Sequence, residues 1–521
     1  LLMPGFIKGL DVSGDNIAVK VADGEVMITG PARLQGRPAP IDFKAYFDSA
    51  GKPFVFQART KILADYVLRQ QFGAGLEDWL LGDPTIDVVY TEQKGGQAVV
   101  NVKGPVDDVN LLVKPFKFQK AIGVAGTAEA NVVLQNGELK EVKDLAISTP
   151  DLKVDNGRLL FETVKGVSEL RRGRLTRARL GETDVALDFE QVPGGPLKFK
   201  ATGSFFDARP FIGKGAEVAD EAPYTGPAVI ASAAVDRMRT HPARVIEKVK
   251  VYLDMNNKGD VSQFELDAIA GQGPLYLRFK PAASGGKMTI HVEAQDAGAV
   301  LRAFDVYENV EGGQMKIYGE QVPEQNSRRR LLRGSGEITN FRVVKAPVLA
   351  QLVGTLSLTG IPELLSGQGI SFSRLQGDFD WVVSRSGDAY YMRNGRTSGS
   401  SIGLTFEGKV DKREDVMDVG GTVVPVTFVN DLISNIPLIG TLLTGGEGAL
   451  IAATYSVKGP AKNPTVTVNP LAALTPGILR RIFFEEDKVD RAPDAMGPLP
   501  PTKTTPPPQG GSQGGSPGLN R

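Results

Sequence analysis

The dominant period along the chain is two. In KMTIHVEAQ, Met288, Ile290, Val292 and Ala294 fall on one side, and Thr289, His291 and Glu293 fall on the other. KVKVYLDMNN sets Val249, Val251, Leu253 and Met255 on one face, and PLYLRFKP does the same with Leu275, Leu277 and Phe279. Such alternation predicts strands with one apolar and one wet face. Between the alternating runs lie VADGEV, LQNGEL, VDNGRL, NNKGD and SRSGDAY, whose Asp-Gly, Asn-Gly, Lys-Gly and Gly-Asp pairs suit hairpin turns. One echo stands out: VKGPVDDVNLLVKP (102–115) and VKGPAKNPTVTVNP (457–470) share Val-Lys-Gly-Pro and a second Pro at the same offset. The pair predicts a repeated strand, corner, strand unit, with Val466 and Val468 on one face of its second copy; a common turn idiom is the alternative.

Helical spacing is rare. KAPVLAQLVGTLSLTG places Pro347 in a first turn, Val348, Leu349, Leu352, Val353 and Leu356 on one side, and Gly360 at a stop. DAGAVLRAFDVYENVEGG offers Asp296 as an N-cap, and KILADYVLRQQFG near Lys61 reads as a third short helix. The oddest stretch is FVNDLISNIPLIGTLLTGG. Phe428, Leu432 and Ile436 recur every fourth residue with Val429 and Ile433 beside them, and Leu438, Ile439, Leu442 and Leu443 resume after Pro437. It is too short and too interrupted for a membrane span, which needs about 20 apolar residues. LAALTPGILRRIFFEED repeats the theme, with Ile478, Leu479, Ile482, Phe483 and Phe484 around Arg480 and Arg481. A core-plugging pair and an interfacial pair that dips into a bilayer both fit these segments.

Composition narrows the class. A chain of 521 residues exceeds what one globular core usually supports. Lys plus Arg and Asp plus Glu are 60 each, and a formal charge of zero argues against a dedicated nucleic-acid binder. With no Cys there is neither a disulfide framework nor a thiolate metal site. The opening LLMPGFIKGLDVSGDNIAVKV has no signal-peptide pattern and reads as mid-domain, so the expectation is the carboxyl-terminal part of a longer protein. Residues 491–521, rich in Pro, Gly, Ser and Gln, are expected to be disordered.

Candidate chemistry is sparse. Only two His occur: His241 precedes a Pro and reads as a turn residue, and His291 lies on a polar strand face. No nucleophile elbow, zinc motif or phosphate loop is present. No catalytic residue, metal ligand or cofactor site is expected. The run ELRRGRLTRARLGETD, with Arg171, Arg172, Arg174, Arg177 and Arg179, reads first as a wet face balanced by neighbouring acids, and second as a site for lipid phosphates.

Several blocks carry a family resemblance. GTVVPVTFVNDLISNIPLIGTLLTGGEGALIAATYSVKGPAKNPTVTVNPLAALTPGILRRIF resembles the closing region of the AsmA-like family, the group related to YhdP and TamB in Gram-negative bacteria. QDAGAVLRAFDVYENVEGGQMKIYGE, ITNFRVVKAPVLAQLVGTLSLTGIPELLSGQGISFSRLQGDF and SSIGLTFEGKVD resemble its preceding blocks. The likeness covers about Val235 to Phe484. It implies a mainly β fold: a long, twisted antiparallel sheet curled into an open apolar groove, with a few short helices. It also implies a periplasmic location, an upstream inner-membrane anchor, a carboxyl end near the outer membrane or proteins there, and bulk phospholipid movement rather than catalysis.

The expected divisions are 1–205 as a β-repeat segment, 206–490 as the AsmA-like region and 491–521 as the tail. The expected groove residues are Val249, Val251, Leu253, Leu275, Leu277, Phe279, Met288, Ile290, Val292, Val466 and Val468. Leu432 to Leu443 and Ile478 to Phe484 are expected to face a membrane. Two other readings compete: a scaffold for outer-membrane protein assembly working by β-augmentation, and a carbohydrate-active enzyme on a β-rich frame.

Overall fold

The computed structural model describes residues 2–7, 10–71, 79–164, 167–212, 224, 226–282, 286–322, 329–355, 369–384, 388–399, 402–412, 414–425, 453–461 and 463–469. The fold is mainly β and is dominated by one large twisted sheet of 25 strands. It begins with Ala18–Ala22 and Glu25–Gly30 and ends with Ala453–Gly459 and Thr465–Asn469. No pairing among the described residues joins the first strand to the last, so the sheet is open.

The expected all-antiparallel ladder needs one correction. Leu197–Asp207 runs parallel to Val229–His241, so the chain leaves the first strand at one rim and enters the second at the other. Every other strand pairing described is antiparallel, which makes the sheet mixed.

The hairpin signals are partly right. Asp23 and Gly24 (φ 53° and 75°) and Asn136 and Gly137 (φ 51° and 80°) close two-residue turns in the left-handed region that such turns demand. The Asn-Gly of VDNGRL does not turn. Asn156 (φ 50°) lies inside the strand Leu152–Val164, next to a register shift at Leu145/Gly157. It forms a bulge, as do Asp144, Lys248 and Asn394 within their own strands. Each bulge adds a residue to one strand, bends it and increases its twist. At Lys248 the extra residue also resets the alternation, so that Ile246 and Val249 are both buried on the same face.

The sequence echo forms strand, corner, strand in both copies, but the second strand is paired differently in each. In the second copy Ala453–Gly459 and Thr465–Asn469 pair with each other. In the first, Asn110–Val113 leaves the main sheet and joins Phe118–Lys120 and Leu80–Leu81 in a separate three-stranded sheet. The same local idiom is used in two topologies.

The two rims of the large sheet differ. Along one, strands are joined by short connections such as 93–96, 136–137, 192–196, 256–260 and 460–464. From the other rim leave all the helices and small sheets among the described residues. These are the four-stranded sheet of Leu2–Ile7, Leu10–Ser13, Arg33–Leu34 and Arg37–Pro38, the helix Tyr66–Gln71, the sheet around Asn110–Val113, and the helices Ala297–Ala303 and Pro347–Thr355. The helix expected around Lys61 is therefore shorter, because Lys61 to Leu63 end the strand Phe56–Leu63. The helix at Asp296 forms as expected: its carboxylate accepts from the Ala299 amide at 2.9 Å and from Gln272 at 3.2 Å, tying helix to sheet.

Each excursion packs on the same face of the sheet. Leu68 joins the core of Ile28, Phe43 and Ala58. Val109 and Leu111 cover Leu152 and Val154. Ala297, Val300 and Ala303 pack on Val249, Leu275 and Val292. Leu352 packs with Phe341, Phe372 and Val423.

Candidate functional site

The register joins one side chain from every strand of the large sheet into a single row. It starts Val19–Ile28–Phe43–Ala58–Tyr90–Val100. It continues Val132–Val142–Leu159–Gly173–Phe189–Phe199. Across the parallel pair it runs Ala231–Leu253–Phe264–Phe279–Ile290–Gly319. It ends Gly334–Phe379–Met392–Gly408–Val419–Val457–Val466. No member carries a charge. The one hydroxyl, on Tyr90, donates to Glu92 at 2.6 Å, and burial raises its pKa.

A neighbouring row repeats the chemistry from Leu175 through Leu187, Ala201, Ala233 and Val251 to Leu266, Leu277, Val292 and Ile317. Where glycine interrupts, an aromatic ring can fill the space: a Cβ on Gly173 would collide with the Phe189 ring, and one on Gly395 with the Phe406 ring.

The eleven residues expected to line a groove lie on one face of the sheet. Leu253, Phe279, Ile290 and Val466 lie in the first row, and Val251, Leu277 and Val292 lie in the second. Val249 and Leu275 sit on the same face nearer the helices, Met288 nearer the short turns, and Val468 opposite Tyr455. Their surroundings differ. Val249 and Leu275 are 1% exposed under the helix Ala297–Ala303, whereas Val251, Leu253, Leu277 and Met288 are only half-buried. The two apolar segments expected to face a membrane, Leu432 to Leu443 and Ile478 to Phe484, lie outside the described residues, as does the 491–521 tail. Phe189, Phe199, Phe264, Phe379 and Met392 belong to the same face and were not singled out from sequence. TDVALDFEQ and LKFKATG carry the alternation that would have found the first two.

Around the arginine run the opposite face is charged, and three of its arginines meet carboxylates on the neighbouring strand. Arg172 meets Glu190 at 2.7 Å, Arg174 meets Asp188 at 2.5 Å, and Arg177 grips Asp184 through two nitrogens at 2.8 and 2.6 Å. Hydrogen bonds from Arg172 and Arg177 hold the Glu190 and Asp184 carboxyls below the ordinary range. The arginine run is thus a wet face with cross-strand partners for these three residues.

Farther along, Asp380 is 0% exposed and accepts from two guanidiniums. Arg333 donates at 2.9 and 3.0 Å, and Arg393 at 2.6 and 3.1 Å. Burial pushes this carboxyl up, but the two guanidiniums outweigh it and hold it below the usual range. His291 is half exposed and lies 3.2 Å from Glu293.

Among the described residues no group of His, Asp and Glu is arranged to hold a metal ion, and no helix is long and apolar enough to cross a membrane. Comparison with known proteins gives no match to a family model, a curated protein or a solved structure. Function has to be argued from the apolar face itself.

Proposed function

We propose that the chain is part of a conduit that moves phospholipids between the inner and outer membranes of a Gram-negative envelope. In this reading the sheet curls into an apolar groove that carries acyl chains. The observation that supports it is the uncharged row from Val19 to Val466, one residue per strand across the whole sheet. A row of 25 strands at about 4.8 Å spacing extends on the order of 120 Å, the scale of a bridge rather than a pocket. Each buried CH₂ contributes about 0.8 kcal/mol, in a bilayer as on such a face. Exchange between the two is then nearly balanced, which suits passage better than storage. The AsmA-like resemblance points the same way, including a periplasmic location and an anchor upstream.

Organic extraction of the purified chain followed by mass spectrometry tests this. Phospholipid is expected from the wild type and is lost from Leu253→Asp and Phe264→Asp, because an unpaired carboxylate in an acyl path is costly. A wild type that purifies without lipid, and takes none up from liposomes, refutes the reading.

A second reading has one observation in its favour. Val19 and Val21 are 54% and 61% exposed on Ala18–Ala22, which is paired on one side only among the described residues. Such an edge can accept a strand from an outer-membrane protein. Replacing Val21 with Pro would abolish that pairing and leave acyl binding in the middle of the row unchanged.

A further inference from the structure

Burial of the apolar face differs from one group of strands to the next. Between Val229 and Ala294 it is sealed: Val235, Ile246, Val249, Leu275, Ile290 and Val292 are all buried in one core with the helix Ala297–Ala303. Between Glu138 and Asp207 the buried apolar side chains among the described residues are Leu152, Val154 and Val185. Each lies near the rim from which the small sheets and helices leave. Farther along the same strands Val142, Leu159, Phe161 and Phe189 are half-buried, and Leu170 is 37% exposed.

This stretch ends in a polar cluster on the same face. Glu138 and Lys140 share the parity of Val142, and Thr163 shares that of Leu159 and Phe161. The register sets Phe161 opposite Leu170 and Thr163 opposite Ser168. Lys140 Nζ donates to Glu138 at 2.8 Å and to Thr163 Oγ1 at 3.3 Å, and Thr163 Oγ1 donates to Glu138 at 2.9 Å. Those hydrogen bonds hold the Glu138 carboxyl below its ordinary range. The Lys140 and Glu138 side chains are 40% and 49% exposed, so both charges can be reached from water.

We infer that Glu138, Lys140 and Thr163 form a head-group station for a zwitterionic phospholipid of the phosphatidylethanolamine kind, whose acyl chains lie on the apolar stretch beside it. The inference rests on the conduit reading and specifies where on the face a lipid is recognised, and by which chemistry.

The occupant is argued from charge and length. Lys140 spends two of its three N–H groups within the cluster, which leaves one to meet a phosphate oxygen. The ammonium of the head group then takes the Glu138 carboxylate, and every charge keeps a partner of opposite sign. A phosphatidylglycerol head brings the phosphate without the ammonium and sets two anions around one lysine. From Phe161 to Val154 the strand runs roughly 20 Å, the scale of a long acyl chain. There Val109 and Leu111 close the path. A peptide laid on the same stretch would bring backbone N–H and C=O groups that hydrocarbon side chains cannot satisfy.

A crosslinker at Leu170 reads the station locally. Leu170 is replaced by p-benzoylphenylalanine, and the purified chain is incubated with vesicles holding equal amounts of phosphatidylethanolamine and phosphatidylglycerol. After irradiation the adducts are identified by mass spectrometry. Phosphatidylethanolamine adducts are expected to exceed the others by about two- to five-fold, the worth of one exposed ion pair. The ratio is expected to fall to about one in Glu138→Gln, compared at an unchanged melting curve, because a single exposed pair of this kind is all that separates the two lipids. Lys140→Gln is expected to lower capture of both.

Equal capture or an excess of phosphatidylglycerol in the wild-type background overturns the station and leaves the conduit standing, as does a preference that survives Glu138→Gln. Absence of adducts from a protein whose organic extract contains phospholipid has the same meaning. A protein that yields neither adducts nor extractable phospholipid removes the conduit reading and the inference with it.

Discussion

Asp380→Asn is the sharpest test of what stiffens the sheet behind its apolar face. Asp380 sits between Phe379 and Trp381, so the strand that offers two aromatic groups to one face anchors itself by this carboxylate on the other. The carboxylate is 0% exposed, while the Arg333 and Arg393 side chains are 17% and 33% exposed. At an effective dielectric of 20, one such pair at 4 Å is worth about 4 kcal/mol before desolvation. Removing the shared anion leaves two guanidiniums facing each other, and breaking a buried pair in this way costs about 3–5 kcal/mol. Partial exposure of both arginines lets water take up some of that loss. About 2–4 kcal/mol is expected, concentrated in Arg329–Val343, Ile370–Ser384 and Ala389–Gly399.

Hydrogen exchange reads this locally, as faster exchange of amides in those three strands with the rest of the sheet unchanged. The pH dependence separates the ion pair from packing. The folded carboxyl is held below its unfolded value near 3.9, so its contribution is full above about pH 4 and fades as pH falls through the folded pKa. The gap between wild type and Asp380→Asn should therefore narrow on acidification. A gap of less than about 0.5 kcal/mol at neutral pH, or one that stays constant into acid, would sink the argument.

Two further outcomes are expected. A Cβ on Gly334 would run into the Tyr318 carbonyl oxygen and approach Gly319 Cα at 2.6 Å, whereas one on Gly336 meets nothing nearer than 3.6 Å. Gly334→Ala should lower the melting midpoint clearly and Gly336→Ala should not; equal effects would mean that the close approach of these strands is unimportant. The triple change Arg172→Gln, Arg174→Gln and Arg177→Gln should leave phospholipid uptake unchanged, because each arginine already has a carboxylate partner. Lost uptake with an intact melting curve would restore the lipid-phosphate role.

What could be read from sequence and what could not divide along a physical line. Strand alternation is local: the side-chain period is fixed by the backbone, so Met288, Ile290 and Val292 declare a shared face with no knowledge of their neighbours. The N-cap at Asp296 is equally local. The Lys248 bulge is not, because nothing in EKVKV marks the residue that takes a positive φ, and the parity of Ile246 is lost with it. Asn156-Gly157 shows the same limit from the other side. A pair that suits a hairpin serves as a bulge when both flanking strands are long enough to carry the ladder past it. The parallel pair depends on a connection that changes rim, which alternation cannot encode.

Coverage of the face is the least local property of all. Val249 and Leu253 stand four residues apart in one strand with the same side-chain chemistry, yet one is sealed under a helix from 50 residues downstream and the other is half open. Sequence names the apolar face; which of its residues are covered depends on segments that depart from distant strands.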